Sequence, residues 1–341
     1  MGAGVMMPTT RAQEPGKSGA MLSRVAENLF WAARYVERVD GLARLMDQAF
    51  QVEFDAGFGD GDSGPVEAIL EILSCRAQFT RETVDAAHQS PQDLLRWLAF
   101  SKSGLVSIRS MVAAARENAR STQEALSAEA WNQINRFHLS MSSRKAEARF
   151  AASPARFLEA VKRSCVLFAG LVDATQPRDE AFHFMQLGGF LERIDMTSRI
   201  LASAAGTALI QSADDEAAGG DLEGLRWSGL LKAVGAQEAY LRRFRGDITS
   251  EGVLRFLLLE QEFPRSLRFG LNRCMESLQE ISGMERSHHV SEAERLLGRL
   301  ESDLRYLEPS DILARGPVNF LGEIQNTCAK VGSEIANERF V

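Results

Sequence analysis

The chain has 341 residues, 45% of them hydrophobic and 25% charged, enough for one large domain or two ordinary ones with a buried core. Its formal net charge of -7 argues against a dedicated nucleic-acid binder, and no apolar run approaches the roughly 18 residues that a membrane span needs. The four cysteines (Cys75, Cys165, Cys274 and Cys328) are scattered without zinc spacing and read as reduced, mostly buried thiols of a cytoplasmic protein.

Residues 1–20, "MGAGVMMPTTRAQEPGKSGA", are rich in Gly, Pro, Thr and Ser and have neither periodicity nor the apolar centre of a signal peptide. They read as a disordered extension, and ordered structure is expected from "MLSRVAENLF", with Met21 an alternative start. Helix signals dominate from there, and strand signals are nearly absent. In the first helical run Leu29, Ala32, Val36, Val39, Ala43, Met46 and Phe50 recur at spacings of three and four, which marks a core seam. Phe30, Trp31, Tyr35, Leu42 and Leu45 lie off that seam, so the helix is packed on most sides. Its charges are then partly buried and need partners. Arg34, Glu37 and Arg44 share one stripe, and Asp40 precedes Arg44 by four, a favourable helical pair.

A loop is expected over 55–64, "DAGFGDGDSG", and a helix start at Ser90-Pro91. "AARENAR" (114–120) follows, where Arg109, Arg116 and Arg120 form a helical stripe. Guanidinium rows suit carboxylate or phosphate, and they equally make a solvated basic face beside an acidic neighbour. Ser153-Pro154 opens a further helix.

At "FMQLGGFLERIDMTSRIL" (184–201) the first helix returns, displaced by 155 positions. Glu192 stands for Glu37, Arg193 for Arg38, Asp195 for Asp40 and Arg199 for Arg44. Further on, "LLRWLAF" (94–100) answers to "VLRFLLL" (253–259), and Ser107-Ile108-Arg109 to Ser266-Leu267-Arg268. "SPARFLEAVKRSC" (153–165) answers to "GPVNFLGEIQNTC" (316–328), by which point the offset has grown to 163. Residues 211–224, "QSADDEAAGGDLEG", read as a solvated loop matching 55–64, and Phe263-Pro264 as a helix break matching Ser103-Gly104. Arg265, Arg268 and Asn272 give a second polar row, and Ser291 with Glu294 a capping box. The expected fold is all-α: two duplicated helical bundles, 21–174 and 175–341, related by a pseudo-twofold axis and packed as one globular unit.

Three readings of the repeated Glu-Arg pair stand beside one another. It is an ion-pair network holding register, Glu37 with Arg193 and Glu192 with Arg38. Or it is a polar pocket at the axis for an anionic or zwitterionic ligand. Or it is a pair of carboxylates doing acid-base work. Glu180 with His183, and Glu285 with His288, have the Glu-x-x-His spacing of di-iron bundles, but such sites also need two carboxylates on other helices and His288 falls in a turn before the helix that Ser291 caps, so no metal is expected. No nucleotide-loop, nucleophile-elbow or dinucleotide motif occurs; no cofactor is expected and no catalytic residue is assigned.

"MLSRVAENLFWAARYVERVDGLARLM", "AARENAR", "SAEAWNQIN" (127–135), "FHFMQLGGFLERIDMTSRIL" and "FLLLEQEFPRSLRF", taken together, closely resemble the bacterial alpha-E family, over essentially residues 21–341. The resemblance implies an all-helical protein whose genes lie beside, or fused to, circularly permuted ATP-grasp ligases, often with transglutaminase-like proteases. It carries the family's motif positions onto Arg34, Glu37 and Arg38, onto Arg116, Asn118 and Arg120, onto Glu192, Arg193 and Arg199, and onto Pro264, Arg265 and Ser266. The chain departs at "SKSGLVSI" (101–108), where the family commonly has Asn-Pro before Ser-Ile. The implied function is an accessory or substrate-presenting module of a peptide- or amide-forming ligase system. Its partners would be the ligase, a transglutaminase-like protein and an anionic peptide or metabolite, without nucleic acid or membrane. Two alternatives stand: an enzyme of that system using Glu37 and Glu192, and a purely structural scaffold.

Overall fold

The computed structural model describes residues 21–55, 64–83, 90–212, 219–284, 290–308, 311–312 and 315–340. The extension 1–20 and the pair Glu285 and His288 lie outside them. Among the described residues the regular structure is entirely helical. Two 33-residue helices dominate, α1 (Ser23–Asp55) and α9 (Glu180–Ser212), each roughly 50 Å long at about 1.5 Å per residue.

Between them run α2 (Gly64–Ile72), α3 (Arg76–Glu82), α4 (Pro91–Phe100), α5 (Ile108–Ser121), α6 (Ala128–Ser142), α7 (Lys145–Ala152) and α8 (Pro154–Thr175). After α9 come α10 (Gly219–Ala233), α11 (Gln237–Arg243), α12 (Ser250–Leu259), α13 (Leu267–Met284), α14 (Glu292–Arg305) and α15 (Pro317–Arg339). The starts follow the polar punctuation of the sequence. Ser90 and Ser291 close capping boxes with Asp93 and Glu294, and Ser153 caps α8 ahead of Pro154. Non-helical segments at 101–107 and 260–266 separate α4 from α5 and α12 from α13. Of the loop expected over 211–224, residues 211–212 belong to α9 and 219–224 to α10, and 213–218 lie outside the described residues.

α1 and α9 form the centre. α1 packs against α5, α8 and α9, and α9 against α1, α13 and α15. Contacting residues climb together along both helices (Phe30 with Gly188, Arg38 with Glu192, Gly41 with Met196), so the two run parallel. The approach is closest at Gly188, where a Cβ would lie 2.3 Å from the Phe30 carbonyl oxygen. Only glycine fits there. The seam residues Leu29, Ala32, Val39, Ala43 and Met46 are buried, and so are the off-seam Phe30, Leu42 and Leu45. This crowding on several faces is what forces the charges of α1 and α9 into one another's company.

Candidate functional site

Halfway along the α1–α9 seam the two Glu-Arg pairs interlock. Arg193 donates to Glu37 through Nε and Nη2, both at 2.7 Å, in the two-pronged geometry that suits a guanidinium and a carboxylate. Reciprocally, Arg38 donates to Glu192 through Nε at 2.5 Å and Nη2 at 2.9 Å. Glu192 is 1% exposed and also accepts from Arg34 Nε at 2.9 Å. Arg34 lies 4.9 Å from the Trp31 ring centre, which leaves its cation sandwiched between indole and carboxylate.

A second layer lies one turn along. Arg44 and Arg199 each donate Nε at 2.8 Å to the aspartate four residues earlier, Asp40 and Asp195. Arg265, from the break before α13, donates to Asp40 Oδ2 at 2.6 Å and comes within 3.6 Å of Glu37. Gly235, with φ of 66°, lets the backbone between α10 and α11 pass over these groups: a Cβ there would stand 2.8 Å from Arg44 Nη1.

The electrostatics follow from the geometry. Burial by itself would raise the Glu37 carboxyl, but Arg193, with Arg265 and Arg44 behind it, outweighs burial and holds it down at about 2. Burial also acts upward on Glu192, and Arg34 and Arg38 together take it below its ordinary range. Asp195 goes the other way: burial raises it, and the contact with Arg199 does not compensate. Burial pushes up all four cysteine thiols, the mark of inert protonated sulfur.

Beside Glu37 a cavity of about 500 Å³ opens between α8 and α9, in the range that takes small molecules. Val166, Ala169 and Val172 of α8 and Met185 of α9 give it an apolar wall; Glu37, Asp40, Arg193 and Arg265 give it a charged floor. Phe190 and Phe269 also line it, with Arg193 lying 4.8 Å above the Phe190 ring. Asp40 is 3% exposed, and its Oδ1 has no hydrogen-bond partner among the described residues. A smaller cavity, about 210 Å³, adjoins Arg38, Glu192, Asp195 and Arg199.

Of the residues singled out in the sequence, Arg34, Glu37, Arg38, Arg44, Glu192, Arg193, Arg199 and Arg265 come together in these two layers. Others sit apart. Arg116 bonds Asn135 of α6 and Glu117, and Arg120 bonds Glu117, so neither reaches the Glu-Arg layers. Asn118 lies on the same helix, where its carbonyl accepts from Thr122. Ser266 caps α13, its hydroxyl accepting from the Phe269 amide at 3.1 Å. The row of Arg265, Arg268 and Asn272 does not form, because α13 begins only at Leu267; Arg265 turns to Asp40 and Arg268 to Glu301, 3.8 Å away. Glu180 accepts from the Met21 amide at 3.0 Å, and no group of metal-ligating side chains occurs among the described residues.

The α8 wall and Gly189 are not among the residues that the charged motifs single out. The signal was present: two successive glycines in a helix interior cost about 1 kcal/mol each and need a reason. Gly188 admits the neighbouring helix, and Gly189 lines the cavity.

A family described as Alpha-E, "a predicted alpha-helical domain with a conserved ER motif", matches residues 21–340. Three uncharacterized mycobacterial proteins, one from Mycobacterium bovis and two from Mycobacterium tuberculosis, are each 22% identical over 321 residues, covering 87% of this chain. The chain spans about a third of the length of these relatives, 34% of each. No solved structure matches.

Proposed function

The chain belongs to the Alpha-E family, and we propose that it is an accessory, substrate-presenting module of an ATP-grasp peptide or amide ligase system, acting through the cavity beside Glu37. The observation that carries this reading is the state of the two glutamates. A general acid or base works best with a pKa near the operating pH. Glu37 at about 2, clamped by Arg193, and Glu192, depressed by two arginines, are permanent anions with no proton to trade near neutrality. That weighs against the acid-base enzyme. A cavity of about 500 Å³ with an apolar wall and converging polar groups weighs against a bare scaffold. The ligase as partner comes from the family resemblance, and the greater length of the relatives leaves room in them for further domains.

The same reading takes the fold as a duplication of 21–174 and 175–341 about a pseudo-twofold axis. Reciprocity supports it: Glu37 takes Arg193 while Glu192 takes Arg38, as a twofold axis between α1 and α9 requires. Helix neighbours support it too, since α1 packs on α5 and α8 as α9 does on α13 and α15. A cytoplasmic protein without nucleic-acid or membrane partners fits the net charge of -7 and the lack of any helix, among the described residues, long and apolar enough to span a membrane.

Size-exclusion chromatography of the protein with the ATP-grasp ligase encoded beside it, and with the transglutaminase-like protein, tests the reading. Co-elution with the ligase, strengthened by ATP, is expected. Separate elution together with unchanged ligase turnover would refute it.

A further inference from the structure

The position 155 residues beyond Arg34 is Gly189, and this difference makes the surroundings of Glu37 and Glu192 unequal. On the Glu192 side the Arg34 side chain lies between α1 and α15: it donates to Glu192, stacks on Trp31, and reaches to where a Cβ on Gly332 would be 3.4 Å from Nη1. On the Glu37 side Gly189 supplies no side chain, and the space between α9 and α8 is the cavity of about 500 Å³. A Cβ on Gly189 would have no heavy atom within 4 Å. Arg34 thus fills the space beside Glu192 toward α15, and the corresponding space beside Glu37 toward α8 is open.

Three further observations say what fits there. Asp40 lines the cavity, is 3% exposed, and its Oδ1 accepts no hydrogen bond among the described residues, while Oδ2 takes both Arg44 and Arg265. A buried carboxylate oxygen without a donor is costly, and a charged donor removes that cost most fully. The lining carries three carboxylates (Glu37, Asp40, Asp173) and three guanidiniums (Arg193, Arg265, Arg273), so its charge balances and a simple anion gains no net attraction. Apart from Gln186 the rest of the wall is apolar.

We propose that this cavity binds a zwitterionic ligand with an apolar body, an apolar amino acid or the free amino end of a short apolar peptide, whose ammonium group sits on Asp40 Oδ1. The carboxylate or first carbonyl of the ligand faces Arg273, which gives one donor to Glu276 and stands over the Phe190 ring. The inference rests on the cavity being a binding site, and it does not depend on which protein the module serves.

Titration calorimetry with leucine and leucyl-leucine, each compared with its N-acetylated form, tests it on the full chain. Binding of at least one free-amine probe is expected, weakened tenfold or more by acetylation and by Asp40→Asn. Gly189→Leu should abolish binding while the melting temperature holds, because the added side chain enters open space. Gly170→Leu, placed on the α8 wall where a Cβ also meets nothing within 4 Å, repeats the test should Gly189→Leu fail to fold. Equal binding of acetylated and free probes would overturn the ammonium assignment. No binding of either free-amine probe, or binding that survives both leucine substitutions, would overturn the site. Ligase co-elution is read separately, so failure here and failure of the module reading are told apart.

Discussion

Replacing Glu37 with Gln removes the charge to which Arg193 is clamped by two bonds of 2.7 Å. Its cost can be estimated in two ways. The fall of the carboxyl from 4.5 to about 2 on folding corresponds to about 3 kcal/mol at roughly 1.4 kcal/mol per pH unit. Breaking a buried pair from one side costs roughly 3–5 kcal/mol, since the remaining charge stays buried and uncompensated. The Gln oxygen still accepts one bond, so a loss of about 3 kcal/mol is expected. Adding Arg193→Met takes away the stranded guanidinium at the expense of its bond to the Pro264 carbonyl at 3.2 Å. The double variant should therefore recover about 1–2 kcal/mol, a strong coupling between contacting residues. Urea unfolding at neutral pH of the four proteins of this cycle measures it. Single effects that add to within about 0.5 kcal/mol would refute the reasoning, since uncoupled residues cannot be each other's essential partners.

Three other outcomes follow from particular contacts. Because the folded Glu37 pKa lies below its ordinary value, the stability it contributes is present above pH 4.5 and disappears as pH falls toward about 2; the gap between wild type and Glu37→Gln in urea unfolding should close over that window, and a constant gap would contradict the assignment. Asp195, raised by burial, works in the opposite sense and is common to both proteins, so it cancels in the difference. Gly188→Ala drives a methyl into the Phe30 carbonyl and should cost about 1–3 kcal/mol by forcing α1 and α9 apart, visible as a lower melting temperature. A chain beginning at Met21 should melt as cooperatively and at the same temperature as the full chain, since residues 1–20 have little apolar surface to bury; a drop of several degrees would show otherwise.

The all-helical class was legible because the three-and-four spacing of Leu29, Ala32, Val36 and Val39 has one simple explanation, and the capping serines and prolines set helix starts close to where they fall. The partners of Glu37 and Glu192 were legible because a charge on a helix apolar on most faces must find an opposite charge, and the similar segments at 29–46 and 184–201 offer one to each other. Arg265 was harder. Its number suggests a row with Arg268, but Pro264 and the Ser266 cap delay α13, and the side chain turns back to Asp40. A polar pocket was one reading of the Glu-Arg pair, but its apolar wall was out of reach for a different reason: Gly189 and the α8 residues that line it meet in a register that no local pattern reveals.

The most direct test of the proposed role is the turnover of an ATP-grasp ligase of the kind proposed as its partner, followed by ADP release with its amine and carboxylate substrates, with and without this protein and with Gly189→Leu. Wild type should raise ligase turnover several-fold and show none alone, while Gly189→Leu, still folded and still co-eluting, should fail to stimulate. Equal ligase rates in all three mixtures, or product formed by this protein without the ligase, would contradict it.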